Sequence, residues 1–219
     1  GLILSTGRQY SRMQEPEKAL TYFRQASQLA DTAEIRSISF VEATETLTRL
    51  GRHEDAYAAC RKALELDPET AARRLRAYTR IDIAAKAGHP EEALAILAEE
   101  RKRGRSGRRD YVERGWDLKE AELLRAAGRP QEALDKVDAL RESLQKDTTY
   151  RAGLFRGIKL AKARTLADLG RTKESAALFE DMVRNQDGLH GESRRTVQTA
   201  RDDLHLRLLR EWQKNQQSR

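Results

Sequence analysis

"GHPEEALAIL" at residues 88–97 is echoed forty residues later by "GRPQEALDKV" at 128–137. In both stretches a proline stands two positions after the glycine, acidic residues follow, and an alanine comes five positions after the glycine. Working outward in that register, Gly51 leads to Ala56, Gly170 leads to Ser175, and at the front of the chain Gln14 leads to Ala19. The five turns are separated by 37, 37, 40 and 42 residues. A period of that size marks a solenoid of stacked helix pairs.

The punctuation has a mechanism. Glycine ends the first helix of each pair, where the backbone must turn left-handed. Pro16, Pro90 and Pro130 then fall in the first turn of the second helix, where a missing N–H costs nothing. The acids of "PEKA", "PEEA" and "PQEA" sit near the positive helix end. Pro68, in "LELDP", reads as the end of the second helix of copy two. The second helices carry apolar residues at helical spacing: Ala19, Leu20, Phe23 and Ala26; Ala56, Cys60, Ala63 and Leu64; Ala133, Leu134, Val137 and Leu140; Leu178, Phe179 and Met182. The small residue early in each lets two helices cross closely. One pair cannot bury its own face, so neighbours must stack.

Composition agrees. Charged residues make up 35% and aromatics 5%, which suits helical layers burying narrow stripes better than one thick core. No stretch approaches the roughly 18 apolar residues of a membrane span. A single cysteine, Cys60, excludes an internal disulfide and points to a reducing, cytoplasmic setting. It falls at a packing position and reads as an inert core thiol. The chain begins at Gly1 inside an apolar-periodic segment and reads as a piece of a longer polypeptide.

The net charge of +7 is concentrated in one place, "RKRGRSGRR" at 101–109, and outside it 36 basic residues face 35 acidic ones. Arg101, Lys102, Arg103, Arg105, Arg108 and Arg109 form a candidate contact for an anionic partner: nucleic acid, acidic protein or membrane headgroup. The other reading is a solvated connector between copies three and four. His53, His89, His190 and His205 lack metal-ligand spacing, and no glycine loop of the phosphate-binding kind is present. The expectation is a non-catalytic protein without cofactor or metal.

Gly7, Tyr10, Ala19, Phe23 and Ala26 of the first copy, with Gly51, Ala56, Ala63 and Pro68 of the second, resemble the tetratricopeptide repeat family over about residues 2–186. The departures are repeats longer than the usual ~34 residues, Glu100 where a small packing residue belongs, and Asp117 and Lys159 where a bulky one does. The resemblance implies an all-α, right-handed superhelical solenoid of antiparallel helix pairs. Five pairs would span 1–190, the first truncated at its start. Residues 191–219 would form a capping helix and polar tail, with Val197, Ala200, Leu204, Leu208 and Trp212 on one face; the rival reading is a helix that docks a partner.

In that family the first helices line a concave surface that binds peptides. Carried over by register, one row is Leu4, Val41, Tyr78, Leu118 and Leu160. The next turn gives Arg8, Glu45, Asp82, Glu122 and Arg164, and a third gives Arg12, Arg49, Lys86 and Arg125. Glu45–Arg49 and Asp82–Lys86 are also i,i+4 pairs that stabilise a helix without any ligand. The apolar row is either an exposed binding strip or a layer buried between helices. The acids would repel phosphates, which disfavours a nucleic-acid ligand there. Arg8 and Glu45, with no asparagine, disfavour a clamp for acidic peptide tails. The resemblance implies a scaffold or adaptor that binds a partner polypeptide. The alternative is the sensor arm of a larger protein such as a bacterial transcription regulator.

Overall fold

The computed structural model describes residues 1–103, 110–145, 152–184 and 192–217, and among these the regular structure is entirely helical. The chain divides into two compact units, Gly1–Arg105 and Ser106–Arg219. The first unit contains α1 (Leu2–Arg12), α2 (Pro16–Leu29), α3 (Ala33–Arg49), α4 (His53–Leu66), α5 (Pro68–Arg74), α6 (Ala77–Lys86) and α7 (Pro90–Arg103). The second contains α8 (Asp110–Ala126), α9 (Pro130–Gln145), α10 (Ala152–Asp168), α11 (Thr172–Arg184) and α12 (Glu192–Gln217). Five helix pairs result: α1 with α2, α3 with α4, α6 with α7, α8 with α9, and α10 with α11.

One hydrogen-bond scheme makes all five turns. Gly51, Gly88, Gly128 and Gly170 have φ of 72°, 84°, 74° and 74°, and Gln14 takes the same left-handed turn at 60°. The next residue donates its N–H back to the closing turn of the first helix: Glu15 to Tyr10, Arg52 to Leu47, His89 to Ala84, Arg129 to Leu124 and Arg171 to Leu166, all at 2.8–3.0 Å. These are Schellman closures, which satisfy carbonyls left over at the helix end. The same residue then accepts from the small residue four positions on, as in Ala56 N to Arg52 O at 2.9 Å. It therefore ends one helix and starts the next. In three copies it is an arginine that also donates to the acid three residues on: Arg52 to Asp55 at 2.8 Å, Arg129 to Glu132 and Arg171 to Glu174 at 2.7 Å. Copy one reverses the signs, pairing Glu15 with Lys18.

The small residues lie where the two helices of a pair meet. Ala19, Ala56, Ala93, Ala133 and Ser175 are all 0% exposed. Ser175 brings a hydroxyl into the interior and donates it to the Ala163 carbonyl at 2.7 Å, so no polar atom is stranded. At the same level Gly7 leaves no room for a side chain, since a Cβ there would stand 2.6 Å from the Phe23 ring. The apolar residues of the second helices then complete local cores. Phe23 and Ala26 pack with Leu4 and Ile38. Val137, Leu140 and Leu144 pack with Ala121 and Ile158.

Several expectations need correction. Pro68 does not merely end α4. It opens the short helix α5, whose N-cap Asp67 accepts the Thr70 N–H at 3.0 Å. That hydrogen bond holds the Asp67 carboxyl below its ordinary pKa. Ala71 and Leu75 of this segment join Val41, Cys60 and Ala63 in one core cluster. Glu100, in place of a small packing residue, is half-buried and meets Arg80 of α6 at 3.5 Å. Lys159 reaches Asp181 of α11 at 3.0 Å. The basic segment is not wholly a loop, because Arg101, Lys102 and Arg103 are the last turn of α7. Arg105, Arg108 and Arg109 lie outside the described residues. At the C-terminal end, Val197 and Leu204 of α12 pack against Phe179 and Met182 of α11, with Ala200 and Leu208 partly buried beside them. The Trp212 side chain lies outside the described residues.

Two substitution sets check this geometry. Left-handed backbone costs a non-glycine residue about 1–2 kcal/mol, so Gln14→Gly should stabilise the protein by about 1 kcal/mol, while Gly88→Ala should destabilise it by a similar amount. Denaturant melts of the pair should move in opposite directions. Ala56→Leu and Ala133→Leu each overfill a closed crossing and should cost about 1–3 kcal/mol; thermal melts read the loss.

Candidate protein-binding surface

In the first unit the apolar row does not form an exposed strip. Leu4 is 7% exposed and Val41 2%. The pair that follows supplies Ile38 to cover Leu4, and the additional helix α5 brings Ala71 and Leu75 against Val41. Both side chains are largely withdrawn from solvent. Tyr78, in the first turn of α6, differs: it is 58% exposed.

The charged rows are mostly committed within the unit. Arg8 donates from Nε and Nη2 to Glu42 of α3, at 2.8 and 2.7 Å. Arg49 donates to Ser11 of α1 and to Thr46 at 3.4 Å. Lys86 pairs with Asp82 at 2.8 Å, one helical turn apart. Arg12 is exposed at the end of α1. Glu45 is the exception, exposed and without a hydrogen bond or ion pair among the described residues. Partial desolvation, and then the charge of Glu42, push its pKa above the ordinary carboxylate value. Neighbouring Arg49, Arg74 and Arg8 oppose that shift without cancelling it.

In the second unit Leu118 is half-buried against the Ala121–Val137–Ile158 core, and Leu160 half-buried against Ala163 and Phe179. Leu118 fills the space that Gly157 leaves on α10, where a Cβ would stand 2.7 Å from it. Arg125 does not share the row of Arg12, Arg49 and Lys86, because it stands one residue earlier relative to its turn. It bridges α8 and α10 by donating to Asp168 at 2.7 Å. Its register counterpart in copy one is Ser11, which bridges the corresponding joint in the opposite direction, accepting from Arg49. Glu122 is exposed. Arg164 is half-buried, and burial together with the positive charge of Arg125 lowers its pKa.

Arg164 and Arg125 open onto a cavity of about 310 Å³, with Asp168, Asp203, Phe179, Leu204 and two alanines as its other walls. Sequence reasoning missed this cavity. The available signal was Asp168, which occupies the third row of copy five. Its Asp203 wall comes from α12, whose register no repeat supplies.

Of the basic segment, Arg103 pairs with Glu99 at 3.7 Å and Glu100 at 3.3 Å. Arg101 is half-buried and Lys102 exposed. The Cys60 thiol is buried and pushed up to about 11, which makes it a poor nucleophile at neutral pH. Among the described residues no cluster of three metal-ligating side chains is present, and no helix is long and apolar enough to cross a membrane.

Glu45 gives a test of this electrostatic picture. Because folding raises its pKa, the ionised carboxylate costs stability at neutral pH. That cost vanishes once the pH falls below the ordinary carboxylate value of about 4.3. Glu45→Gln should therefore melt higher than the parent at pH 7, and the gap should close in melts at successively lower pH.

The sequence model described as tetratricopeptide repeat matches residues 45–70. Among solved structures, the nearly identical TPR-like repeats of a putative kinesin light chain from Podosopora anserina superpose with a TM-score of 0.56 at 16% identity, covering 84% of this chain and 93% of that one. A MamA structure (RS-1, ArsTM double mutant) superposes at 0.54 with 14% identity, covering 86% and 96%. At such identities the likeness is one of fold. No curated protein matches the chain.

Proposed function

We propose that this chain, which a tetratricopeptide repeat model matches over residues 45–70 and whose fold is similar to that of solved arrays of such repeats, is a non-catalytic scaffold whose first-helix face binds a partner polypeptide. Arrays of this family generally mediate protein–protein contact, and stacked repeats create extended binding surfaces. The observation that carries the reading is Tyr78, a large aromatic side chain left 58% exposed on a first helix while its register partners Leu4 and Val41 are buried. Rigid aromatic anchors of this kind hold a large share of the energy in protein interfaces. Glu45, partly desolvated and without an ion pair among the described residues, lies on the same class of helix and favours a partner with a basic residue near its apolar anchor. Arg8, Arg49 and Lys86 contribute less, since each already has an internal partner.

The test starts from peptides selected against the whole chain from a random display library, with affinities measured by fluorescence polarisation. Tyr78→Ala should weaken the selected peptides by about tenfold or more, equivalent to about 1.4 kcal/mol. Its melting temperature should hardly change, because the side chain is largely solvated. Ala98→Ser on the exposed face of α7 serves as control. Peptides that tolerate Tyr78→Ala but are lost on a second-helix variant would place the binding surface elsewhere.

A further inference from the structure

The cavity in the second unit is walled by charges of both signs, only some of which pair with one another. Arg125 and Asp168 are paired at 2.7 Å. Arg164 and Asp203 are not: among the described residues neither makes a hydrogen bond or ion pair. They project from different helices, α10 and α12, into the same space. Asp203 is near enough for its charge to act on Arg164, yet burial and Arg125 outweigh it and depress the guanidinium's affinity for its proton. The half-buried Arg164 guanidinium thus keeps its N–H donors for solvent or a ligand rather than for a protein partner.

The charges decide which ligand would fit. Glu122, Asp168 and Asp203 all act on Arg164, so a simple anion would meet three carboxylates for two guanidiniums. A simple cation would meet the guanidiniums. A ligand with both signs can place its anion at Arg164 and its cation at Asp203. The smaller apolar part of the lining is offered by the half-buried alanines Ala167 and Ala200, with the buried Phe179 and Leu204 behind them. The volume of about 310 Å³ stands at the small end of the roughly 300–1,000 Å³ range of ligand pockets.

We propose that this cavity binds a free aliphatic α-amino acid, its carboxylate on Arg164, its ammonium on Asp203 and its side chain over Ala167 and Ala200. Binding would also tie α12 to α10, because the two ionic contacts come from different helices. The site is independent of the peptide-binding surface around Tyr78, which lies in the other unit.

The experiment uses the whole chain and L-leucine, with L-valine as a second probe, read by calorimetry and by the thermal shift that a ligand of the folded state produces. L-Leucine should bind saturably. N-acetyl-L-leucine, which lacks the cation, and L-leucine methyl ester, which lacks the anion, should each bind at least tenfold more weakly. Arg164→Met and Asp203→Asn should each lose at least tenfold. Asp203 is exposed, so its variant keeps the test decisive if Arg164→Met does not fold. In the absence of ligand, Arg164→Met should melt no lower than the parent, since it removes a charge with no partner. Failure of both amino acids to bind at millimolar concentration would overturn the proposal. So would N-acetyl-L-leucine binding as well as L-leucine, which would make the cavity a plain anion site, or affinity unchanged in Asp203→Asn. A Tyr78→Ala variant should bind L-leucine like the parent, so either hypothesis can fail alone.

Discussion

Each helix pair is closed by one residue that serves two helices. Arg52 illustrates it: its N–H returns to Leu47 to finish α3, and its carbonyl receives the Ala56 N–H to begin α4. No free linker residue remains, so the angle between the helices is set by backbone hydrogen bonds rather than by side-chain choice. The second helix then meets the first almost at once, and the side chain at the meeting point must be no larger than a methyl or hydroxymethyl group. Ala19, Ala56, Ala93, Ala133 and Ser175 meet that limit with no exposure. The two departures from consensus chemistry are informative. Gln14 accepts a left-handed backbone, and Ser175 finds a carbonyl for its hydroxyl, while the hydrogen-bond scheme around both is retained.

Because the pair geometry is fixed locally, variation collects where one pair meets the next. In the first unit Ile38 closes over Leu4 and α5 closes over Val41. Polar links span the same joints: Arg8 to Glu42 and Arg49 to Ser11 in the first unit, Arg125 to Asp168 in the second. Exposed or half-exposed ion pairs of this kind contribute at most about 1 kcal/mol each. Their main effect is orientation, since they connect defined turns of neighbouring first helices. That use of charge explains why a row that reads as a ligand surface in sequence is largely an internal brace.

What was legible in the sequence was local. A glycine five residues before a small residue encodes a left-handed turn and a helix start, and a proline two residues after the turn reinforces it in three copies, so four glycine turns and the three proline-led second helices were readable without the structure. The helix α5 was also written locally, in "DPET", where Asp67 caps and Pro68 opens. There the proline's role as a terminator hid its role as a first-turn residue. The binding face was not legible, for two physical reasons. One residue of register turns a helix by about 100°, and that offset separates Arg125 from Arg12, Arg49 and Lys86. Burial of a first-helix side chain also depends on what the next pair places over it, which no periodicity within one copy records. Leu4, Val41 and Tyr78 occupy one register position and have three different surroundings.

The groups left over after these internal commitments are few, and they differ between the units. In the first, an exposed tyrosine and an unpaired, partly desolvated glutamate remain on first helices. That combination suits an extended partner with an apolar side chain and a cation. In the second, the corresponding apolar positions are half-covered and a half-buried guanidinium, Arg164, borders a cavity that α12 completes. Partial burial of a guanidinium without a protein partner disfavours its charge in the folded state. The repeat does not require it, since the same register position is an acid, Glu45 in copy two and Glu122 in copy four. The cost is incurred only at the end of the array, where α12 replaces a further pair and introduces Asp203. The terminal helix therefore does more than cover apolar surface. It makes the last first-helix position one wall of an open, two-signed cavity.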